Sequence, residues 1–314
     1  GGTVGDIEGL PFLEAIRQFA IEEGRDNAIF IHLTLVPFIK SAAETKTKPT
    51  QHSVGKLREI GIQPDILMCR SEKPLSKEAS DKIALFCSVR KENVIQALDV
   101  ESIYEVPLSL KDQGLDDIIV KLLHLEARKN NMRKWRKSVI KQLKSPSKKV
   151  NIAVVGKYIT LQDAYKSIYE ALIHGGIANN VKVNIRKIDS ENISKHGAAK
   201  YLKGVSGLLI PGGFGYRGIE GKIDAVKYAR KNKMPFFGIC LGMQTAVIEF
   251  ARNVCKLKKA NSTEFNSKTS NPVISLLEEQ KKVKQKGASM RLGAYRCKLK
   301  KGTKGYKAYK KPEI

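Results

Sequence analysis

The stretch PFFGICLGMQ (235–244) sets one cysteine between two glycines directly after a short apolar run. Pro235 to Ile239 is too short for a helix, and the following TAVIEFAR (245–252) has helical periodicity, so Cys240 lies at a strand-to-helix junction. Such a junction is a tight turn. Gly238 and Gly242, two positions before and two after, remove the side chains that would collide within it. They leave the sulfur raised above a sheet edge, near a helix N-terminus that favours a thiolate. This is the nucleophile-elbow pattern Gly-x-Cys-x-Gly. Taken alone, the same cysteine also reads as a buried small hydrophobe, so its surroundings decide.

Upstream, KVNIAVVGKY (149–158), VKVNIRKID (181–189) with period-two alternation, and GVSGLLIPGG (204–213) read as strands separated by helices, which with MPFFGIC (234–240) make an α/β unit. In LIPGGFGYRG (209–218), four glycines follow a buried strand, so backbone N–H groups can approach a ligand without Cβ obstruction. It is neither a Walker loop nor Gly-x-Gly-x-x-Gly. Beside an elbow cysteine on a neighbouring strand it is placed to supply an oxyanion-hole donor.

A first α/β unit precedes this one: NAIFIHLTLVPF (27–38), TQHSVGKLREIG (50–61), PDILMCR (64–70), SKEASDKIALFCS (76–88) and NVIQAL (93–98) alternate strand and helix over residues 10–124. Residues 126–149 form a basic helical stretch ending in Ser, Pro and Lys, a linker in which Trp135 reads as a packing anchor. A length of 314 residues with 42% hydrophobic composition suits two globular domains. No apolar run spans a bilayer, and no basic leader opens the chain; a cytoplasmic location without a membrane partner is expected. Five cysteines (Cys69, Cys87, Cys240, Cys255, Cys297) with no Cys-x-x-Cys spacing argue against a disulfide framework or a zinc site. The balance of 57 Lys+Arg against 31 Asp+Glu gives a net charge of +26. The excess is mostly dispersed lysine without an RNP, zinc-finger or helix-turn-helix signature, so a nucleic-acid partner is not expected.

LIPGGFGYRGIEG, GICLGMQ and NSTEF together resemble the glutaminase domain of class I amidotransferases. GGTVGDIE, KTKPTQHSV, GIQPDILMCRS and VGKYITLQDAYKSIYEAL further resemble the CTP synthase family, and the resemblance runs over essentially the whole chain. It implies two domains: a P-loop-like parallel-sheet nucleotide-binding synthetase domain over 1–125, and, after the linker 126–149, a flavodoxin-like class I glutaminase domain over 150–314. The activity implied is amination of UTP to CTP. ATP phosphorylates the uracil O4, and ammonia released from L-glutamine displaces the phosphate. The resemblance also implies Mg²⁺ with ATP, GTP as allosteric activator, CTP as feedback inhibitor, and a homotetramer.

Carried over by residue, Cys240 resembles the thiolate that attacks the glutamine amide. Gly213 resembles a backbone donor at the glutamine site. Leu241, Gly242, Met243 and Gln244 resemble the stretch that seats glutamine, the Leu241 N–H completing the oxyanion hole. Glu264, by itself a surface acid, matches the glutamate that reads the substrate amino group. Tyr216 to Gly221 resembles the lid linked to GTP activation, although Arg217 alone reads as a solvated charge. Lys46 and Lys48 stand just before a helix whose first turn carries Pro49 and Thr50, an anion pocket suited to a triphosphate. The family binds UTP and CTP with Lys46, Thr47, Lys48, Pro49, Thr50, Gln51 and Lys82, and with positions matching Asp6, Ile7 and Glu8. Taken singly, Lys82 is an ordinary helix lysine and His52 a plain helix residue.

There are departures. The family's Lys-Asp-Val at the adenine reads Leu98-Asp99-Val100, which keeps backbone contacts and loses the lysine side chain. The phosphate loop and Mg²⁺-binding acids of the family are expected upstream of Gly1, so no metal ligand is expected here. The glutaminase His-x-Glu is expected downstream of Ile314; His32, His52, His124, His174 and His196 all precede Cys240. Both ends are therefore expected to be cut and the 314-residue piece to be inactive as a glutaminase. A free-standing Cys240 glutaminase or peptidase, and a basic nucleic-acid-binding protein, are the rival readings.

Overall fold

The structure is a computed structural model that describes residues 2–126, 131–159, 161–276, 294 and 296–314. The chain divides into two units, Gly1–Ser145 and Pro146–Ile314. No helix among the described residues is long and apolar enough to cross a membrane.

In the first unit, α1 (Leu10–Glu23) leads into β1 (Ile31–Leu35), a short antiparallel pair of β2 (Phe38–Ile39) with β3 (Glu44–Thr45), and α2 (Lys48–Glu59). Then follow β4 (Ile66–Ser71), α3 (Lys77–Cys87), β5 (Val94–Leu98), α4 (Val106–Asp112) and α5 (Leu115–Leu122). β1, β4 and β5 form a parallel sheet in that order. Alternation within β4 shows how both faces are covered. Leu67 and Cys69 pack with Val54, Ile83 and Cys87 from α2 and α3, whereas Ile66 and Met68 pack with Leu115, Ile118 and Ile119 from α5. Burial on both faces is what an uninterrupted apolar strand in a parallel sheet encodes. Ser76 caps α3 by accepting from the Ala79 N–H at 3.1 Å, and Pro49 opens α2 where its missing donor costs nothing. The basic stretch after α5 includes α6 (Arg133–Trp135), which passes through a π turn, Arg136–Ile140, into α7 (Lys141–Lys144). Trp135 Nε1 donates to the Tyr104 carbonyl at 2.9 Å, an anchor as expected; residues 127–130 of the linker lie outside the described residues.

The second unit runs β6 (Lys148–Gly156), α8 (Lys166–Ala178), β7 (Val181–Asp189), α9 (Ser190–His196), α10 (Ala198–Leu202), β8 (Gly207–Ile210), α11 (Ile219–Lys231), β9 (Phe236–Gly238) and α12 (Leu241–Asn253). After it come β10 (Asn261–Ser262), β11 (Pro272–Ile274) and α13 (Lys304–Tyr309). The sheet is parallel with order β7-β6-β8-β9, the 2-1-3-4 order of a flavodoxin-like fold. Central β6 ends in four consecutive buried residues, while edge strand β7 alternates as its sequence pattern predicts. Ala153, Val155, Leu208 and Ile210 face α9, α10 and α11 through Ile193, Leu202 and Val226; Val154 and Leu209 pack with Tyr165, just ahead of α8, and Tyr169 within it. His196 is the last residue of α9.

Candidate active site

Parallel strands deliver their following loops to one edge, so the ends of β6, β8 and β9 converge on the same rim. Cys240 caps α12 with φ 52° and ψ −104°, a left-handed backbone unusual for a side-chain-bearing residue, and it is exposed. The flanking glycines are demanded by contact. A Cβ on Gly242 would stand 2.1 Å from the Ile210 carbonyl oxygen, and one on Gly238 2.5 Å from the Gly242 carbonyl carbon. The helix therefore presses directly on β8, and it starts at Leu241, four residues before the sequence periodicity predicts. The missed turn contains Gly242, a poor helix former kept here because nothing larger fits. Among the described residues no side chain hydrogen-bonds the Cys240 thiol.

Gly212 lies against the cysteine: its Cβ would fall 3.5 Å from the Cys240 Cβ. From there the glycine loop runs to Gly215, whose N–H donates to Glu264 Oε1 at 2.9 Å. Three residues span at most about 10 Å, so a carboxylate and a thiol bracket one short channel of backbone. Gly213 packs beside the fully buried Leu241, and the Leu241 N–H, first in its helix, has no intrahelical acceptor. Gln244 adds a buried side-chain oxygen, Oε1, without a hydrogen-bond partner, while Met243 is half exposed at 48%. Phe265 packs with Ile219, Ile223, Leu241 and Ile248, which fixes the turn carrying Glu264 against α11 and α12.

Two cations border the loop, one of which, Lys157, the sequence reading did not select. Lys157, at the end of β6 and almost wholly buried, donates from Nζ to the Phe214 carbonyl. Arg217 donates to the Lys157 carbonyl at 3.3 Å and pairs with Glu191 at 3.4 Å, so it is more than a solvated charge. Lys222, on α11, is fully buried with its Nζ unpartnered. Burial, and after it the fields of Lys157 and Arg217, push its pKa down to about 8 from 10.5. A lysine directly after a buried strand was the available signal for Lys157; nothing in the sequence marks Lys222.

The first unit carries a second set. Thr47 and Thr50 are buried at the start of α2; Thr50 is held by Thr34 at 3.1 Å, and Thr47 accepts from Gln51 at 3.1 Å. Exposed Lys46 pairs with Glu44 at 2.6 Å. Glu44 is held below its ordinary carboxylate value first by the hydrogen bond from Lys46, and also by the field of Lys82, so Lys46 and Lys82 share one neighbourhood. Lys48 and Pro49 form the exposed first turn of α2, and His52 is an exposed helix residue. Leu98 ends β5; Asp99 is paired with Arg70 at 3.4 Å, and Val100 is exposed. Asp6, Ile7 and Glu8 sit ahead of α1, and Asp6 and Glu8 line a cleft of about 430 Å³ with Phe12 and Leu13.

Comparison with known proteins gives the following. Residues 1–125 match the CTP synthase N-terminus family, and residues 160–310 the class-I glutamine amidotransferase family. A CTP synthase of Syntrophus aciditrophicus is 60% identical over 100% of this chain and 58% of its own length. One from Carboxydothermus hydrogenoformans is 58% identical over 98% of this chain and 58% of its own. The glutaminase domain of Trypanosoma brucei CTPS with bound acivicin aligns at 37% identity over 52% of this chain and 64% of that one, with a TM-score of 0.45. The chain thus spans a little over half the length of the curated relatives it matches. With both family matches in order and high identity along its whole length, the chain belongs to the CTP synthase family.

Proposed function

We propose that this chain carries the thiol and the pyrimidine-nucleotide edge of a glutamine-hydrolysing CTP synthase, aminating UTP to CTP with ATP and ammonia taken from glutamine. The observation that carries this reading is Cys240 in its left-handed turn against Gly212, with Glu264 held at the other end of the same loop. L-Glutamine would lie along Gly212 to Gly215, its ammonium at Glu264 and its amide at Cys240. The thiolate adds to the amide carbon, a C–S bond forms, and the carbonyl π pair moves to oxygen between the Leu241 and Gly213 N–H groups. The C–N bond then breaks as its nitrogen takes a proton and leaves as ammonia; water later cleaves the glutamyl thioester. The Gln244 oxygen fits a donor on the substrate.

Lys46, Lys82 and the α2 N-terminus would take the UTP triphosphate, or that of inhibitory CTP, with Thr47 to Gln51 and with Asp6 to Glu8. The Lys46–Glu44 pair is exposed and worth little, so a phosphate displaces it at small cost. ATP with its Mg²⁺ would meet this chain at Leu98 to Val100. GTP activation through Tyr216 to Gly221, a homotetramer and a cytoplasmic location complete the reading on family resemblance. Residues 1–125 act as synthetase part, 126–149 as linker and 150–314 as amidotransferase part; the division between Ser145 and Pro146 supports two domains.

The test treats the 314-residue chain with a glutamine analogue bearing an electrophilic diazoketone in place of the amide. One adduct is expected, at Cys240 and suppressed by glutamine, and Glu264→Gln should demand far more reagent. Equal labelling of Cys255 and Cys297, or no competition by glutamine, would overturn the reading.

A further inference from the structure

Lys222 lies one turn into α11, the helix that the glycine loop feeds. The start of that helix is pressed onto the β7–α9 junction: a Cβ on Gly218 would stand 2.2 Å from Ser190 Oγ, and one on Gly221 1.8 Å from the Ser190 carbonyl oxygen. This seals Lys222 at 0% exposure, with neither its Nζ nor the neighbouring buried Ser190 Oγ partnered. The charges that act on it are Lys157 from the end of β6, Arg217 from the loop and Asp189 from the end of β7; Glu191 on α9 faces Arg217. Asp189 and Glu191 are already engaged, the first accepting from the Glu191 N–H at 2.8 Å and the second pairing with Arg217. Lys157 and Arg217 are the two cations that hold the loop, through the Phe214 and Lys157 carbonyls. A third positive charge beneath them opposes that arrangement, and a neutral amine does not.

We propose that Lys222 is a positioning residue for the glycine loop 211–218: as a neutral amine it lets Lys157 and Arg217 hold the loop in the form that faces Cys240 and Glu264, and as an ammonium it loosens that form. The functional consequence rests on the glutamine-site reading above, but the loop itself can be observed without substrate or turnover. If opening returns Lys222 from about 8 to its ordinary 10.5, linkage makes opening about tenfold more favourable at pH 7 than at pH 9.

Hydrogen exchange of peptides covering 211–221 in the 314-residue chain, corrected for intrinsic exchange rates, measures this directly, with peptides from α8 as reference. In the wild type, protection should rise about tenfold from pH 7 to pH 9. Lys222→Met, of similar shape and always neutral, should be protected at both values; Lys222→Arg, always charged, should be poorly protected at both. A wild type without the pH trend would overturn the proposal. So would a Met variant that keeps the trend, or one that loses protection equally at both values, since that is the mark of a residue that merely fills space. If the Arg variant fails to fold, the wild-type and Met comparison decides alone, and neither result depends on whether glutamine is the substrate.

Discussion

Gly242→Ala tests the elbow at its tightest point. The added methyl would stand 2.1 Å from the Ile210 oxygen and 2.9 Å from the Ile210 carbon, where real Cβ contacts essentially never fall below 3.0 Å, so α12 must retreat from β8 by about an ångström. Neither side can yield freely. The Ile210 carbonyl also accepts from the Ile239 N–H at 3.0 Å, the bond that registers the end of β9 on β8. Leu241 and Ile248 on the same helix are fully buried. Overpacking of this kind costs about 1–3 kcal/mol, and a strained or broken backbone hydrogen bond adds about 1 kcal/mol. Gly175→Ala on α8 is the control: its Cβ meets nothing within 4 Å, so it should gain roughly 0.5–1 kcal/mol from helix propensity. The two variants should differ by about 3–5 kcal/mol in urea unfolding of the second unit, and the alkylation rate of Cys240 should change only in Gly242→Ala. Equal stability of the two, with Cys240 reacting at the wild-type rate in both, would refute the claim that packing dictates this glycine.

Lys46→Ala and Lys82→Ala should each weaken UTP or CTP binding by about 1.5–3 kcal/mol in the full-length protein while leaving diazoketone labelling of Cys240 intact; calorimetry showing unchanged affinity in both would remove the assignment. Lys222→Met should raise stability by up to about 3 kcal/mol at pH 7, the cost of a fall from 10.5 to about 8 at about 1.36 kcal/mol per unit. The unfolded chain binds the extra proton only between these two values. The gain is therefore fully present below about pH 8 and vanishes as pH rises towards 10.5, which denaturant midpoints at pH 7 and pH 10 would check.

The alternation of strands and helices was legible because burial leaves a periodic trace. β7 alternates as an edge strand should, and β6 runs apolar because both of its faces are covered. The elbow was legible because glycine spacing records steric demand, though the start of α12 was not: Gly242 punctuates the sequence but sits inside a helix. Glu264 meets Gly215 across 49 positions; only the family resemblance singled out Glu264, and nothing pointed to that pairing. Lys222 shows the opposite limit. Its place in IEGKIDAVK reads as an ordinary helix surface, and only the close approach of α11 to Ser190 turns that surface inward. Arg70 meets Asp99 because β4 pairs with β5 in parallel register, which no local pattern encodes.

The strand order also accounts for the division of labour in the second unit. Connections leave β6 and β8 in opposite directions across the sheet, opening a crevice between their carboxyl ends. Lys157, directly after β6, and the glycine loop after β8 occupy it, and Glu264 accepts a hydrogen bond from the loop at Gly215. The thiol follows β9, the strand next to β8. In the proposed pose the charged end stays at the loop, and two methylenes carry the amide from the α-carbon toward the thiol. A substrate whose charged end is fixed at the loop therefore presents its amide to Cys240, and one a methylene shorter, such as asparagine, falls short of it. Asparagine should accordingly fail to protect Cys240 from the diazoketone at concentrations where glutamine protects it fully. Protection by asparagine at comparable concentration would mean that the charged end is held elsewhere than at Glu264.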